Sequence, residues 1–281
     1  MQRQDKKPTF YFQADASSLG GFLQQPFQRL VPPQASVSLP SAGGFATART
    51  EGFNLEQIVS CTSSHTRVSG RETTDGRAFS TLVTAVIEGL NILEIVTAER
   101  VVAQISVECP ADYGPRRISL AGSHFEGLRV GGHNASPTLN PSFLNAQPAG
   151  TVRSPMTWTD FRGIGEKQSR TLIGAIKKTR NAAWDWAQER YEWMGSSQKR
   201  KDGELVQCSL VDSVASPIPG SSLGHLIEIP EFGRIILGEL LVSSDSVQLF
   251  MIRAELGCNV HGVITVQAGS GGTMMPPLLN S

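Results

Sequence analysis

The phrase EGFNLEQIVS (Glu51–Ser60) returns as EGLNILEIVT (Glu88–Thr97), and a shorter echo, EGLRV, runs from Glu126 to Val130. The three glutamates stand thirty-seven and thirty-eight residues apart. A fixed period of this length marks one supersecondary unit used again, each copy burying its apolar face against the next. What flanks the copies says which unit it is. Phe79, Thr81, Val83, Ala85 and Ile87 alternate with their neighbours ahead of the second copy, and Val101, Ala103, Ile105, Val107 and Cys109 do so after it. A period of two places such residues on one face of a strand. Their partners Val102, Gln104, Ser106 and Glu108 are mostly polar and can face water. Turn-forming clusters, PSAGG at 40–44, TTDG at 73–76 and ADYG at 111–114, separate the strands. The sequence therefore predicts hairpins, each closed at an E-G-[FL] corner.

Gly52, Gly89 and Gly127 are expected at those corners because glycine takes backbone angles closed to a residue with a Cβ. Glu51, Glu88 and Glu126 are expected to accept hydrogen bonds from N–H groups freed by the bend. One active site has no use for three copies of a carboxylate at a regular spacing, whereas a repeated architecture needs the same corner each time. All six residues are assigned structural roles.

The stretch TLVTAVIEGLNILEIVTAERVVAQISVECP, followed by ISLAGSHFEGLRVGG, resembles the bacterial choice-of-anchor P proteins. In that family a G-L-N-L-L corner, a V-T-A-[DE] strand and a later S-x-F-x-G-L-x-V-x-G segment recur. The likeness covers about residues 40–135. It implies a β-rich fold and a place at the cell surface, and it carries no catalytic residue across.

Residues 1–136 are thus read as a hairpin-repeat region, and 137–162, rich in Asn, Pro, Ser and Gly, as a loop or linker. From 163 to 195 the apolar period changes to about 3.6, the signature of an amphipathic helix. Leu172, Ile173, Ile176, Ala183, Trp184, Ala187, Tyr191 and Met194 share its stripe; Trp186 and Trp193 lie off it. A helix covering its own sheet buries one face, so aromatics on a second face suggest contact with another copy of the chain. Strands return over 204–270 to complete the same fold, and 271–281 reads as a flexible tail. The fold class expected is mainly β: an antiparallel sandwich or roll of repeated hairpins with one inserted long helix.

In the C-terminal strands a two-residue turn at Ser244 and Asp245 sets a register with Arg234 opposite Glu255 and Glu239 opposite Phe250. Simple alternation then surrounds Glu239 with Leu237, Leu241, Phe250 and Ile252, and puts Arg253 on the other face of its strand. A carboxylate buried there costs several kcal/mol unless it is paired, so another element is expected to supply the partner.

Lys+Arg and Asp+Glu balance at 25 each, which excludes the electrostatic footprint of a general nucleic-acid binder. No apolar run approaches the ~18 residues of a membrane span, and the first residues show no secretory signal. A cytoplasmic location is the default, against the cell surface implied by the resemblance. Cys61, Cys109, Cys208 and Cys258 are too scattered for a disulfide scaffold and read as buried thiols. GSSLG at 220–224 matches a nucleophile-elbow pattern but leads into a strand, where the elbow requires a helix. Cys258 and His261 form one C-x-x-H pair with no second pair, so neither a metal nor a cofactor is expected. Three classes of function follow: a non-enzymatic structural protein that self-associates through 163–195, a module binding carbohydrate or another small ligand on a β face, and a hydrolase built around Glu239 and His225.

Overall fold

The structure, a computed structural model, describes residues 9–144, 156–195, 205–215 and 218–275. In chain order its first strands are β1 (Thr9–Gln25), β2 (Arg29–Gln34), β3 (Val37–Ser38), β4 (Gly44–Leu55), β5 (Val59–Glu72), β6 (Ala78–Ile92) and β7 (Val96–Pro110). Short strands β8 (Arg117–Ser119), β9 (His124–Glu126), β10 (Arg129–Val130), β11 (His133–Asn134) and β12 (Ser136–Leu139) follow. Two helices, α1 (Trp158–Thr179) and α2 (Asp185–Gly195), precede β13 (Val206–Ser209), β14 (Val211–Ala215), β15 (Ser221–Leu223), β16 (Leu226–Ile229), β17 (Gly233–Val242), β18 (Ser246–Gly257) and β19 (His261–Met275). Residues 137–139 and 158–162 of the expected linker therefore belong to elements, and Gly271–Met275 of the expected tail complete β19. The basic run Lys199–Lys201 lies outside the described residues.

The strands form two large antiparallel sheets and a two-stranded one, β12-β14. The front sheet runs β15-β16-β17-β18-β19-β1-β2, with β13 on β17 and β3 on β1; the back sheet runs β11-β10-β7-β6-β5-β4, with β8 and β9 on β7. Their facing sides make the main core, where Phe10 stacks on Phe79 at 4.7 Å and Phe12 meets both rings edge-on. Thr81 and Ser270 hydrogen-bond across this interior at 2.7 Å. A second, smaller core lies on the outer face of the front sheet, where Leu172, Ile176, Trp184 and Tyr191 of the helical segment cover Leu226 and Ile236.

The repeat builds the back sheet, and each copy has two parts. Gly52, Gly89 and Gly127 take φ of +61°, +59° and +58°, the first two inside β4 and β6 and the third between β9 and β10. Four residues after each glycine comes the turn that closes the hairpin, with positive φ at Glu56 and Gln57, at Leu93 and Glu94, and at Gly131 and Gly132. Such paired left-handed residues match the twist of the flanking strands. Asn54 and Asn91 brace the first two turns by accepting from the N–H groups of Gln57 and Glu94, at 3.1 and 2.8 Å. In β4 and β6 the E-G corner is therefore a bend within a strand, at the third copy it joins β9 to β10, and each hairpin closes just beyond it.

These bends lie in one row. Glu51 is opposite Ser63, Ser63 opposite Glu88, Glu88 opposite Arg100 and Arg100 opposite Glu126. At that row every strand changes which parity faces the core. In β6 it passes from Val83, Ala85 and Ile87 to Leu90 and Ile92; in β5 from Val59 and Cys61 to Ser64, Thr66 and Val68. An unpaired extra residue reverses alternation in a strand. Because neighbouring strands take theirs in the same row, the pairing is unchanged on either side and the sheet bends as a unit.

The long helix starts and stops at readable signals. Asp160 accepts hydrogen bonds from the backbone N–H and the hydroxyl of Thr157, at 2.7 and 2.8 Å, closing the first turn. Arg180 turns left-handed (φ +49°), and the Asn181 side chain accepts from the Ala183 N–H at 3.0 Å. The stripe expected over 163–195 is thus shared between α1 and α2, folded back on each other around the 3-10 turn Ala182–Trp184.

Candidate functional site

The densest buried polar cluster sits where α2 crosses the outer face of the front sheet. The register expected there is observed, with Arg234 opposite Glu255 and Glu239 opposite Phe250. Alternation, however, is broken twice. Gly238 has φ +64°, and β18 carries an irregularity between Phe250 and Ile252. Leu237 and Ile252 consequently face the main core, while Glu239, Phe250 and Arg253 share the outer face. This corrects the expectation that Arg253 points away from Glu239.

Glu239, 1% exposed, is fully engaged. Its Oε1 accepts from Arg190 Nη2 and Gln207 Nε2, both at 2.7 Å, and its Oε2 accepts from Arg253 Nε at 2.7 Å. Arg190 also reaches Glu255 at 3.0 Å. Arg234, which faces Glu255 in the ladder, turns instead toward Glu228 at 3.7 Å and lies over the Trp186 ring. Burial alone would raise the Glu239 pKa, but Arg190 and Arg253 outweigh it and hold the carboxyl below its ordinary range. A buried carboxylate whose pKa two arginines depress, with both oxygens accepting hydrogen bonds, is a weak base toward a substrate proton.

Beside it, Tyr191 Oη and His225 Nε2 are 2.9 Å apart, and the Ser169 hydroxyl donates to the Tyr191 carbonyl at 2.6 Å. Burial lowers the His225 pKa from 6.5 to about 4, against the opposing pull of Glu239, so the ring is neutral at physiological pH. Burial likewise pushes the Tyr191 hydroxyl far above its usual value. His225 also lines a cleft of about 380 Å³ with Gln168, Thr171, Asp212 and Leu223. Gln168 closes the wall of that cleft by bonding both backbone groups of Ser209, at 2.8 and 2.9 Å.

The repeat glutamates lie on the back sheet, away from this cluster. Their partners are side chains: Arg49 for Glu51 at 2.7 Å, Ser63 for Glu88 at 2.8 Å and His124 for Glu126 at 2.9 Å. At Glu88 the bend leaves a carbonyl over, and the Thr62 hydroxyl donates to it at 2.9 Å. The expected capture of freed N–H groups is replaced by this arrangement. Residues of GSSLG form β15 and the turn into β16, with no helix following. Among the described residues no group of three His, Cys, Asp or Glu is arranged to hold a metal ion, and no helix is long and apolar enough to cross a membrane.

Sequence reasoning missed Arg190 and Gln207, the donors from α2 and β13, and the Tyr191–His225 pair. It also missed the reach of Arg253, although a signal was present. Gly238 interrupts the apolar run RIILGELLV, and a glycine inside a strand marks a bulge that reverses the faces beyond it.

Comparison with curated proteins and with solved structures finds no match. One family model, described as Domain of unknown function (DUF8256), matches residues 10–243, a span that includes the back sheet, both helices and the front sheet through β17. The chain belongs to the DUF8256 family.

Proposed function

We propose that the protein is a non-enzymatic structural unit that associates with a second copy of itself through β4. The observation that carries this is the open edge of the back sheet. β4 is twelve residues long, contains no proline and pairs with β5 on one side; among the described residues its other edge has no strand partner. The remaining sheet ends are blunted: β15 and β11 have three and two residues, and β2 carries Pro32 and Pro33. A long unpaired edge is a template for another strand.

The sequence of β4 is suited to its own antiparallel copy. With Thr50 on a two-fold axis, Arg49 falls opposite the partner's Glu51 and Glu51 opposite the partner's Arg49, and opposite charges across such a pair are favourable. Phe45, 74% exposed, adds apolar surface nearby. The helical segment offers less support for association. Trp186 donates from Nε1 to Glu228 at 2.7 Å, and Trp193 packs against the main core, so the tryptophans that suggested a second contact face are engaged within the chain. The non-catalytic half of the proposal is supported by the burial of Glu239 between Arg190 and Arg253, which hold its pKa down.

Sedimentation velocity tests it. The wild type is expected to be a dimer that Arg49→Glu shifts to monomer by setting like charges opposite each other. Adding Glu51→Arg to that variant should restore the dimer. A wild type that is monomeric at high concentration overturns the proposal, and so does a dimer indifferent to both substitutions.

A further inference from the structure

The part of the front sheet left bare by the helices carries a small polar trough. Two rungs of the ladder define it. Gln248 faces Gly269, which faces Asp15, which faces Ser38; in the next rung Phe250 faces Gln267, with Ala268 and Ala16 pairing beside Ser17. Val247, Leu249, Ala14, Ala16, Val266 and Ala268 point into the main core, so the residues between them point outward. Their side chains surround a cavity of about 220 Å³ over Gly269.

Gly269 is the informative residue. Its φ is not in the left-handed region, and an added Cβ would meet nothing closer than Gln248 Cγ at 3.6 Å and the Asp15 carbonyl at 3.7 Å. Neither backbone geometry nor packing requires glycine there. A strand-interior glycine nonetheless weakens a strand relative to alanine. With no left-handed angle and no crowding to account for it, the remaining use of a glycine in a strand is close approach by a ligand or another backbone.

The lining says what that is. Asp15 Oδ1 accepts from the Ser38 hydroxyl at 2.7 Å, and its other oxygen is uncommitted among the described residues. The amides of Gln248 and Gln267 are uncommitted among the described residues, and each can donate and accept. Phe250 supplies an apolar wall, its ring held by the Arg253 guanidinium at 4.4 Å, and that cation is itself committed to Glu239. A carboxylate with no free cation beside it among the described residues disfavours an anion. Paired amides and a carboxylate next to an aromatic ring suit hydroxyls on one edge and C–H groups on a face. The volume is below the roughly 300–1,000 Å³ of drug-sized sites, which limits the occupant to a single ring. We infer that this trough binds one neutral sugar ring, alone or within a longer glycan.

The test is a calorimetric and NMR titration of the full chain with glucose, galactose, mannose, N-acetylglucosamine and their short oligosaccharides, with glucuronate as the anionic control. At least one neutral sugar should bind, with glucuronate weaker. Gly269→Val should keep the circular dichroism spectrum and weaken binding at least tenfold. Should that variant fail to fold, Gln248→Ala on the exposed rim carries the same expectation. Absence of binding across the neutral panel overturns the inference, as does binding that survives both substitutions or glucuronate that binds as tightly as the best neutral sugar.

Discussion

The two sheets bend by the same device and face different consequences. In the back sheet a left-handed glycine recurs in one row, from Gly52 through Gly89 to Gly127, and the polar groups it displaces stay near solvent with short-range partners. In the front sheet β1 shifts register beyond Ser17, β18 is irregular beside Met251, and the left-handed Gly238 of β17 swings a carboxylate under a helix. The first bend requires a tolerant backbone; the second also requires two arginines and an amide to offset desolvation. A change of strand parity is therefore inexpensive at a wet surface and costly beneath a covering layer.

The largest effect expected from this contrast lies at Glu239. Removing one member of a buried ionic set leaves the others uncompensated, at a cost of about 3–5 kcal/mol. Glu239→Ala should lower the denaturation midpoint accordingly. Glu239→Leu should not rescue it, because Arg253 loses its carboxylate while Arg190 retains only Glu255. A Glu239→Ala variant no less stable than one altered at the back-sheet corner would collapse the distinction between the sheets.

Next in size is the response to acid. His225 is neutral when folded, with its pKa lowered to about 4, whereas the unfolded chain takes up that proton near 6.5. Between those values the unfolded state binds more protons, so stability is complete above 6.5 and is lost as pH falls toward 4, by about 3 kcal/mol at that end. Glu239, whose folded pKa is depressed, adds a further loss below its ordinary carboxylate range. Equilibrium unfolding from pH 7 to 4 should show this slope, and His225→Gln should flatten it. An unchanged slope in that variant would place the acid sensitivity elsewhere.

The difference between the sheets also sets what could be read from sequence. The back sheet was legible because its motif is written three times, and periodicity exposed Gly52, Gly89 and Gly127 without any tertiary information. The turn after each corner was harder to see. Glu56–Gln57 and Leu93–Glu94 carry none of the glycine that such turns favour, and only alignment with Gly131–Gly132 discloses their shared geometry. In the front sheet the hairpin register followed from Ser244 and Asp245, yet the faces did not, since Gly238 reversed them. Arg190 lay beyond reach because its role depends on α2 folding back at Arg180 and Asn181 and crossing the sheet.

The smallest effects separate the corners from one another. Alanine at a left-handed position costs about 1–2 kcal/mol wherever it is placed. At Gly52, on the edge strand, an added Cβ meets nothing within 4 Å, so Gly52→Ala should cost that backbone term alone. At Gly89, in the middle of the sheet, the same atom would lie 2.6 Å from both Thr62 Cγ2 and Oγ1. Thr62 would have to rotate, giving up its bond to the Glu88 carbonyl. Gly89→Ala should therefore be the more destabilising, by about 1 kcal/mol, the net worth of one such hydrogen bond. Adding Thr62→Ala to each variant removes the obstacle, and should narrow the gap between them. Should the two glycine variants unfold at the same denaturant concentration before that change, the row acts through backbone angle alone and the strand's place in the sheet is immaterial.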